Sequence, residues 1–344
     1  MDWLKRQRAI SGGSPVKPTA SLELREIWRT TLPGHKANVF LCDPSSGSLF
    51  ASDGWGVEFP SLRVHRLSLA TGEEIASVRT RHQGVYALAM HEGHLLAATD
   101  SRIFELAVSD LVILRQWEKG LPRYSMQLVP ERSVLVGATW LAPTVGLFDL
   151  ASGRRHRIRV GSQPLVFRFG EEVRVIAGFD GGMWTLDVAR GRLAGHQKTP
   201  AVASVAAGEH IWATVAGRRE GGEGDPPVWT KNGTEVITRL TGPEWRARAS
   251  GSVFKVTCDD RRGVLWCFLG RRGAQFELQA ISQTNGSILG TAVSVLGAGV
   301  GFCHVDPEAG IALCAETHHF TRRKELDSSQ STIVCYALPD VRAD

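Results

Sequence analysis

Apolar and polar residues alternate along this chain in short runs, and no long window carries apolar residues at helical spacing. The alternation is plainest in VHRLSLATGEEI at 64–75, IFELAVSDLVIL at 103–114, VGLFDLASGRRHRI at 145–158 and MWTLDVARGRLAG at 183–195. VWTKNGTEVI at 228–237 and ELQAISQTNGSIL at 277–289 repeat the form. Each reads as a strand, a tight turn and a second strand. Ahead of each hairpin stands a pair of more apolar runs, such as NVFLCD with SLFASD, VYALAM with LLAATD, and VFKVTC with VLWCFLG.

One unit is therefore four strands, and it recurs. Its first runs begin near residues 38, 85, 124, 165, 202, 253 and 300, in steps of 47, 39, 41, 37, 51 and 47 residues. That spacing matches the roughly 40–50 residues of a propeller blade. The prediction is an all-β, seven-bladed β-propeller of four-stranded antiparallel blades. A two-sheet sandwich needs no sevenfold repetition, and leucine-rich or helical repeats have shorter or helical periods.

The seventh unit stops one strand short, after GFCHV, IALCAE and TIVCYAL. A spare strand, LELREIWRTTL at 22–32, precedes the first full unit. Laid on the outside of blade seven, it pairs an open edge and ties the ends of the ring together. Residues 1–20 are polar and basic and read as a flexible tail, which leaves 21–340 as one propeller domain.

Composition changes this picture little. The 37 glycines, 15 prolines and 10 tryptophans suit short strands and tight turns. The net charge of +5 comes from 40 basic against 35 acidic residues, a balance that decides little by itself; a protein or peptide partner is expected, with nucleic acid a less favoured one. Six cysteines lack C-x-x-C or zinc-finger spacing and read as core thiols. Cys303, Cys314 and Cys335 fall on three successive strands of blade seven and are expected to be neighbours. No signal peptide follows Lys5, Arg6 and Arg8, and no run approaches the ~20 apolar residues of a membrane span. A cytoplasmic monomer without membrane contact, cofactor or metal is expected.

The segment AGFDGGMWTLDVARGR at 177–192 has an Asp-Gly turn at Asp180-Gly181, a strand, and a closing Leu186-Asp187. LFDLASG at 147–153 is similar, and Gly34-His35 and Gly195-His196 stand where an innermost strand would follow. On these residues the chain, over 22–338, resembles the WD40/YVTN/quinoprotein-like propeller superfamily. No blade combines the Gly-His pair, the turn Asp and a Trp-Asp ending, so the resemblance implies an architecture and not a subfamily. Function has to be sought in a site, because one fold hosts many functions.

In a blade whose strands run a to d from the inside out, the b–c and d–a connections open on one face. By the resemblance, this is the usual ligand face. Its b–c connections are enlarged at 52–61, 139–144, 216–227, 270–274 and 316–331. The candidate binding residues gathered there are Trp55, Glu58, His82, Arg123, Tyr124, Trp140, Asp180, Arg218, Arg219, Trp245, Arg246, Arg271, His318 and His319. Arginine makes bidentate contacts with carboxylate or phosphate and stacks on aromatic rings. The set points to an acidic or phosphorylated protein or peptide. On this reading, Trp140→Ala and Trp245→Ala remove binding at little cost in stability.

Catalytic signatures are thin. Gly297-Ala298-Gly299-Val300-Gly301 has no helix after it to bind phosphate, and reads as turn glycines. His318-His319 would alternate sides on a strand and read as solvated loop residues rather than metal ligands. Glu58, Asp180, Glu220, Glu244 and His82 could approach the channel mouth as acid or base. The two alternatives to a binding scaffold are a lactonase-, lyase- or cyclase-like propeller enzyme, and an accessory that holds a peptide for another protein.

Overall fold

The computed structural model describes residues 20–33, 39–52, 63–80, 84–99, 101–118, 125–138, 142–178, 180–215, 236–270, 276–293, 302–317 and 330–343. Among them are 28 strands, arranged in seven four-stranded antiparallel sheets. The innermost strands are Val39–Asp43, Ala87–His91, Ser125–Val129, Pro164–Phe169, Val202–Ala207, Ser252–Asp259 and Phe302–Asp306. Each touches the next, and the last touches the first, which makes the sheets blades of one closed propeller. No innermost strand starts more than two residues from the repeat read in the sequence; the largest offsets are 85 against Ala87 and 300 against Phe302. No helix among the described residues is long and apolar enough to cross a membrane.

Burial explains the hydrophobic pattern. The second strand of a blade is covered on both sides by neighbouring blades, so Ser48–Ser52, His94–Ala98 and Val134–Ala138 are almost wholly buried, and their sequences are near-continuous apolar runs. The outermost strands, such as Ile113–Trp117 and Arg155–Arg159, face solvent and carry the polar residues. The core is divided the same way, into one apolar cluster per pair of adjacent blades. Phe50 and Val64 of blade one meet Leu95 and Phe104 of blade two, and Val136 and Leu147 of blade three meet Val166 and Val175 of blade four. No blade buries its faces alone.

The ring closes as expected. Arg25–Pro33 pairs antiparallel with Gln330–Ala337 as the outer strand of blade seven, from Arg25 opposite Ala337 to Pro33 opposite Gln330. The strand begins later than the predicted residue 22, because the chain ahead of it serves another blade. Leu22 N–H donates to the Thr291 carbonyl (3.0 Å) and Thr291 N–H to that of Ala20 (3.2 Å), which extends the outer edge of blade six. Leu22 packs on Gly290, where a Cβ would come within 2.6 Å of its side chain. Within the closing strand, Trp28 and Leu32 point into the interface with blade one. The Trp28 indole N–H donates to the Leu69 carbonyl (2.8 Å), and its ring lies on Gly72, whose φ of +72° favours glycine.

Three local expectations are corrected. The N-G hairpin predicted at 228–237 gives way to an outer hairpin of Val236–Arg239 and Arg246–Arg248, and residues 228–235 lie outside the described residues. Here the pairing of Ile237 with Thr214 places Ile237 in the core between blades five and six, a gain that a local turn signal cannot match. Gly195-His196 sits inside the outer strand Arg192–Gln197, not ahead of an innermost one. Cys303 faces Cys314 across the ladder, but Cys335 stands opposite Leu313 on the other side of the blade and packs towards blade one. Side chains alternate along a strand, so three successive strands need not bring three thiols together.

Trp28→Ala is expected to cost about 3–5 kcal/mol, the usual range for emptying a buried tryptophan site. Denaturant unfolding checks it; a loss below about 1 kcal/mol, the level of an ordinary surface change, would show that the seam does not depend on Trp28.

Candidate functional site

The strand ends define two unlike faces. On one, the chain leaves the second strand and returns on the third after long excursions, from Ser52 to Arg63, Val215 to Val236 and Thr317 to Gln330. The other four are short, from Ala98 to Ile103, Ala138 to Thr144, Ala177 to Met183 and Gly270 to Phe276. The connections of blades three and six, expected to be enlarged, are therefore no longer than that of blade four. The opposite face carries tight turns such as Asp43 to Ser48 and His91 to His94.

The short b–c turn of blade four is held in a hydrogen-bonded frame. The Asp180 carboxylate accepts the Ser162 N–H (2.6 Å), which ties the b–c turn of blade four to the strand link entering that blade. Gly178 N–H donates to the Gln163 carbonyl and Gly178 O accepts from Val202 N–H, so one turn is gripped by the links on both sides. A Cβ at Gly178 would lie 2.9 Å from the carbonyls of both Gln163 and Val202. Thr199 Oγ1 accepts the Gly182 N–H (2.8 Å) and completes the frame.

Asp180 is therefore exposed on the predicted face, in a positioning role. Trp55, Glu58, His82, Arg123, Tyr124, Trp140, Arg218, Arg219, Arg271, His318 and His319 lie outside the described residues; the strand ends that bound their segments all open on this face. Trp245 and Arg246 do not belong with them. Because the outer hairpin of blade five turns at 240–245, both stand at the opposite face. Trp245 is only 7% exposed and packs edge-to-face on Trp212, with centroids 4.6 Å apart at 75°. It is a core residue, and its substitution cannot be neutral for stability. Arg246 is exposed and pairs with Glu244 at 3.4 Å.

A second group of polar residues went unread in the sequence. Lys255, His304, Asp306 and Cys42 come from the innermost strands of blades six, seven and one. Lys255 Nζ lies 3.4 Å from His304 Nδ1, and ligand atoms of Cys42, His304 and Asp306 all lie within 4.8 Å of one another. Lys255 and His304 are both partly buried. Burial holds the Lys255 amine below its ordinary range, opposed by the nearby Cys303 and Cys42 thiols. Burial, and then the charge of Lys255, brings His304 down to about 3. Burial and the Asp306 carboxylate push the Cys42 thiol up. The available signal was a polar residue inside an otherwise apolar innermost run, in NVFLCD, VFKVTC and GFCHVD.

Neither a protein-family model nor a curated protein matches the chain. Solved structures do match its fold. The WD40 domain of Neurospora crassa Pan2 superimposes with a TM-score of 0.66 at 11% identity, over 95% of this chain and 99% of that one. The β-propeller domain of Cps50 (Swd1) from Myceliophteria thermophila gives 0.64 at 10% identity, over 91% and 99%. The chain thus shares the β-propeller fold of these two domains.

Trp245→Ala is expected to destabilise the fold by about 3 kcal/mol or more, while Arg246→Ala changes stability by less than about 0.5 kcal/mol; denaturant unfolding of the two variants checks the contrast. A second expectation concerns pH. The folded-state value of His304 lies below its unfolded value near 6.5, so its contribution is complete above about pH 6.5 and is lost as pH falls towards 3. Between pH 7 and 5 this removes at most about 2 kcal/mol. His304→Gln should flatten that part of the stability profile; an unchanged slope would contradict it. His65, also held low by burial despite Glu74, contributes in the same direction.

Proposed function

We propose that the chain is a protein- or peptide-binding scaffold that engages its partner through the face of the b–c and d–a connections. The observation that carries this is asymmetry: the b–c connections of blades one, five and seven run to ten residues or more on one face, while no connection on the opposite face exceeds six. Rigid scaffolds with variable loops are a common way to present a binding surface.

The residues in those connections support the partner class. Arg123, Arg218, Arg219 and Arg271, with His82, His318 and His319, suit carboxylate or phosphate groups. Trp55, Tyr124 and Trp140 supply the aromatic anchors that dominate binding energy at interfaces. An acidic or phosphorylated peptide is the ligand this combination fits. Nucleic acid fits less well, because the excess of basic over acidic residues is small across the chain. An enzyme at the loop-face mouth calls for a shifted acid or base there. Among the described residues, the strongly shifted His304 lies mid-strand, with its cluster running towards the other face.

Photo-reactive side chains separate the faces. Placed at the exposed positions Glu118, Ser162 and Lys198 of the loop face, they are expected to cross-link acidic or phosphorylated peptides. Placed at Asp110 and Arg190, on the opposite face, they should not. Cross-links from Asp110 and Arg190 alone would overturn the assignment. Arg218→Glu with Arg219→Glu should weaken capture by about tenfold or more, as expected for loss of charge-assisted contacts.

A further inference from the structure

We propose that Cys42, His304 and Asp306 form a binding site for a zinc-type divalent transition-metal ion that bridges the seam between blades one and seven. The three donors are a thiol, an imidazole and a carboxylate, and their ligand atoms lie within 4.8 Å of one another. Zinc takes sulfur at about 2.3 Å and nitrogen or oxygen at about 2.0–2.2 Å, so donors of a tetrahedral site stand roughly 3.3–3.8 Å apart. Small side-chain rotations close the difference. The mixed sulfur, nitrogen and oxygen set selects zinc over magnesium or calcium, which take oxygen ligands.

The site sits on rigid elements. Cys42 lies on the innermost strand of blade one, and His304 and Asp306 on that of blade seven, all on the sides that face each other across the seam. Asp306 is held by the Ala309 N–H, which donates to its Oδ1 (2.9 Å), and the Phe40 ring stands 6.3 Å from that of His304. Ligands locked by strand pairing and by such outer contacts lose little freedom on binding. Without metal, the Cys42 sulfur and an Asp306 carboxylate oxygen lie within 4.8 Å, and burial and the carboxylate keep the thiol protonated. On binding, the S–H bond breaks, the sulfur–metal bond forms, and the proton passes to solvent. Three protein ligands leave a fourth position for water. Lys255, beside His304, opposes any cation here by like charge.

The consequence is a second fastening of the ring. The closing strand joins blade seven to the N-terminal segment at its outer edge, and the ion would join blades seven and one at their inner edge. Neither fastening substitutes for the other, because they act at opposite ends of the same interface.

Zinc and cobalt(II) titrations of the full chain test this. Cobalt is expected to give a thiolate-to-metal charge-transfer band saturating at one ion per chain. Calorimetry with zinc in two buffers of different ionisation enthalpy should show release of about one proton. Cys42→Ser should abolish the band, and His304→Ala should weaken zinc binding by about 100-fold or more. Cys303→Ser, on the side facing blade six, should change neither. Lys255→Met should tighten binding several-fold. Metal-free unfolding of Cys42→Ser, expected to match the parent chain, shows that the variant is folded. A band that survives Cys42→Ser, or zinc affinity equal in the parent chain and that folded variant, would overturn the proposal.

Discussion

Burial between blades is the constraint on which this protein depends. Each sheet is apolar on both sides and too small to cover itself, so it is stable only with a neighbour on each face. A row of such sheets leaves two faces bare at its ends; a ring leaves none. The seam between blades seven and one is where the row becomes a ring, and the pairing of Arg25–Pro33 with Gln330–Ala337 holds it. Trp28 shows how the backbone pairing and the core act together. The strand that completes the ladder also carries the indole into the next blade, where it packs on Gly72 and bonds to Leu69. The chain just before it fastens to blade six through Thr291. The N-terminal segment therefore spans three blades.

The same constraint divides functional from structural positions. Side chains between blades are packed and leave no freedom for a partner, as Trp245 against Trp212 illustrates. Freedom remains at the connections, and the strands send all the long ones to one face. A third environment is the inner edge, where strands converge and side chains are surrounded without being packed in oil. Lys255, His304, Asp306 and Cys42 occupy it. Charged and polar groups crowd there because each blade must pass its first strand close to the axis, whatever residues that strand carries.

Much of the candidate face was legible for the same reason as the fold. The long b–c segments interrupt a regular repeat, so their positions followed from the repeat itself. Blade five shows the limit. Its N-G turn at 232–233 is a good local hairpin signal, yet the outer hairpin forms further along, where Ile237 can be buried and Trp245 can reach Trp212. A slip of that kind carries Trp245 and Arg246 from one face to the other. The thiols show a second limit: Cys303 and Cys314 meet across a ladder, while Cys335, on the adjoining strand, faces the opposite blade.

By itself, the sequence determined the all-β class, the number of blades, the start of every innermost strand to within two residues, and the need for an N-terminal strand to close the ring. These follow from periodicity, which is local and repeated, so errors in one blade are corrected by the others. Only the tertiary structure decided which side of a sheet each residue faces, and which distant residues share an interface. Cys42 and His304 are 304 − 42 = 262 residues apart, and nothing local links them. They meet because the ring closes, and closure is a property of all seven blades at once.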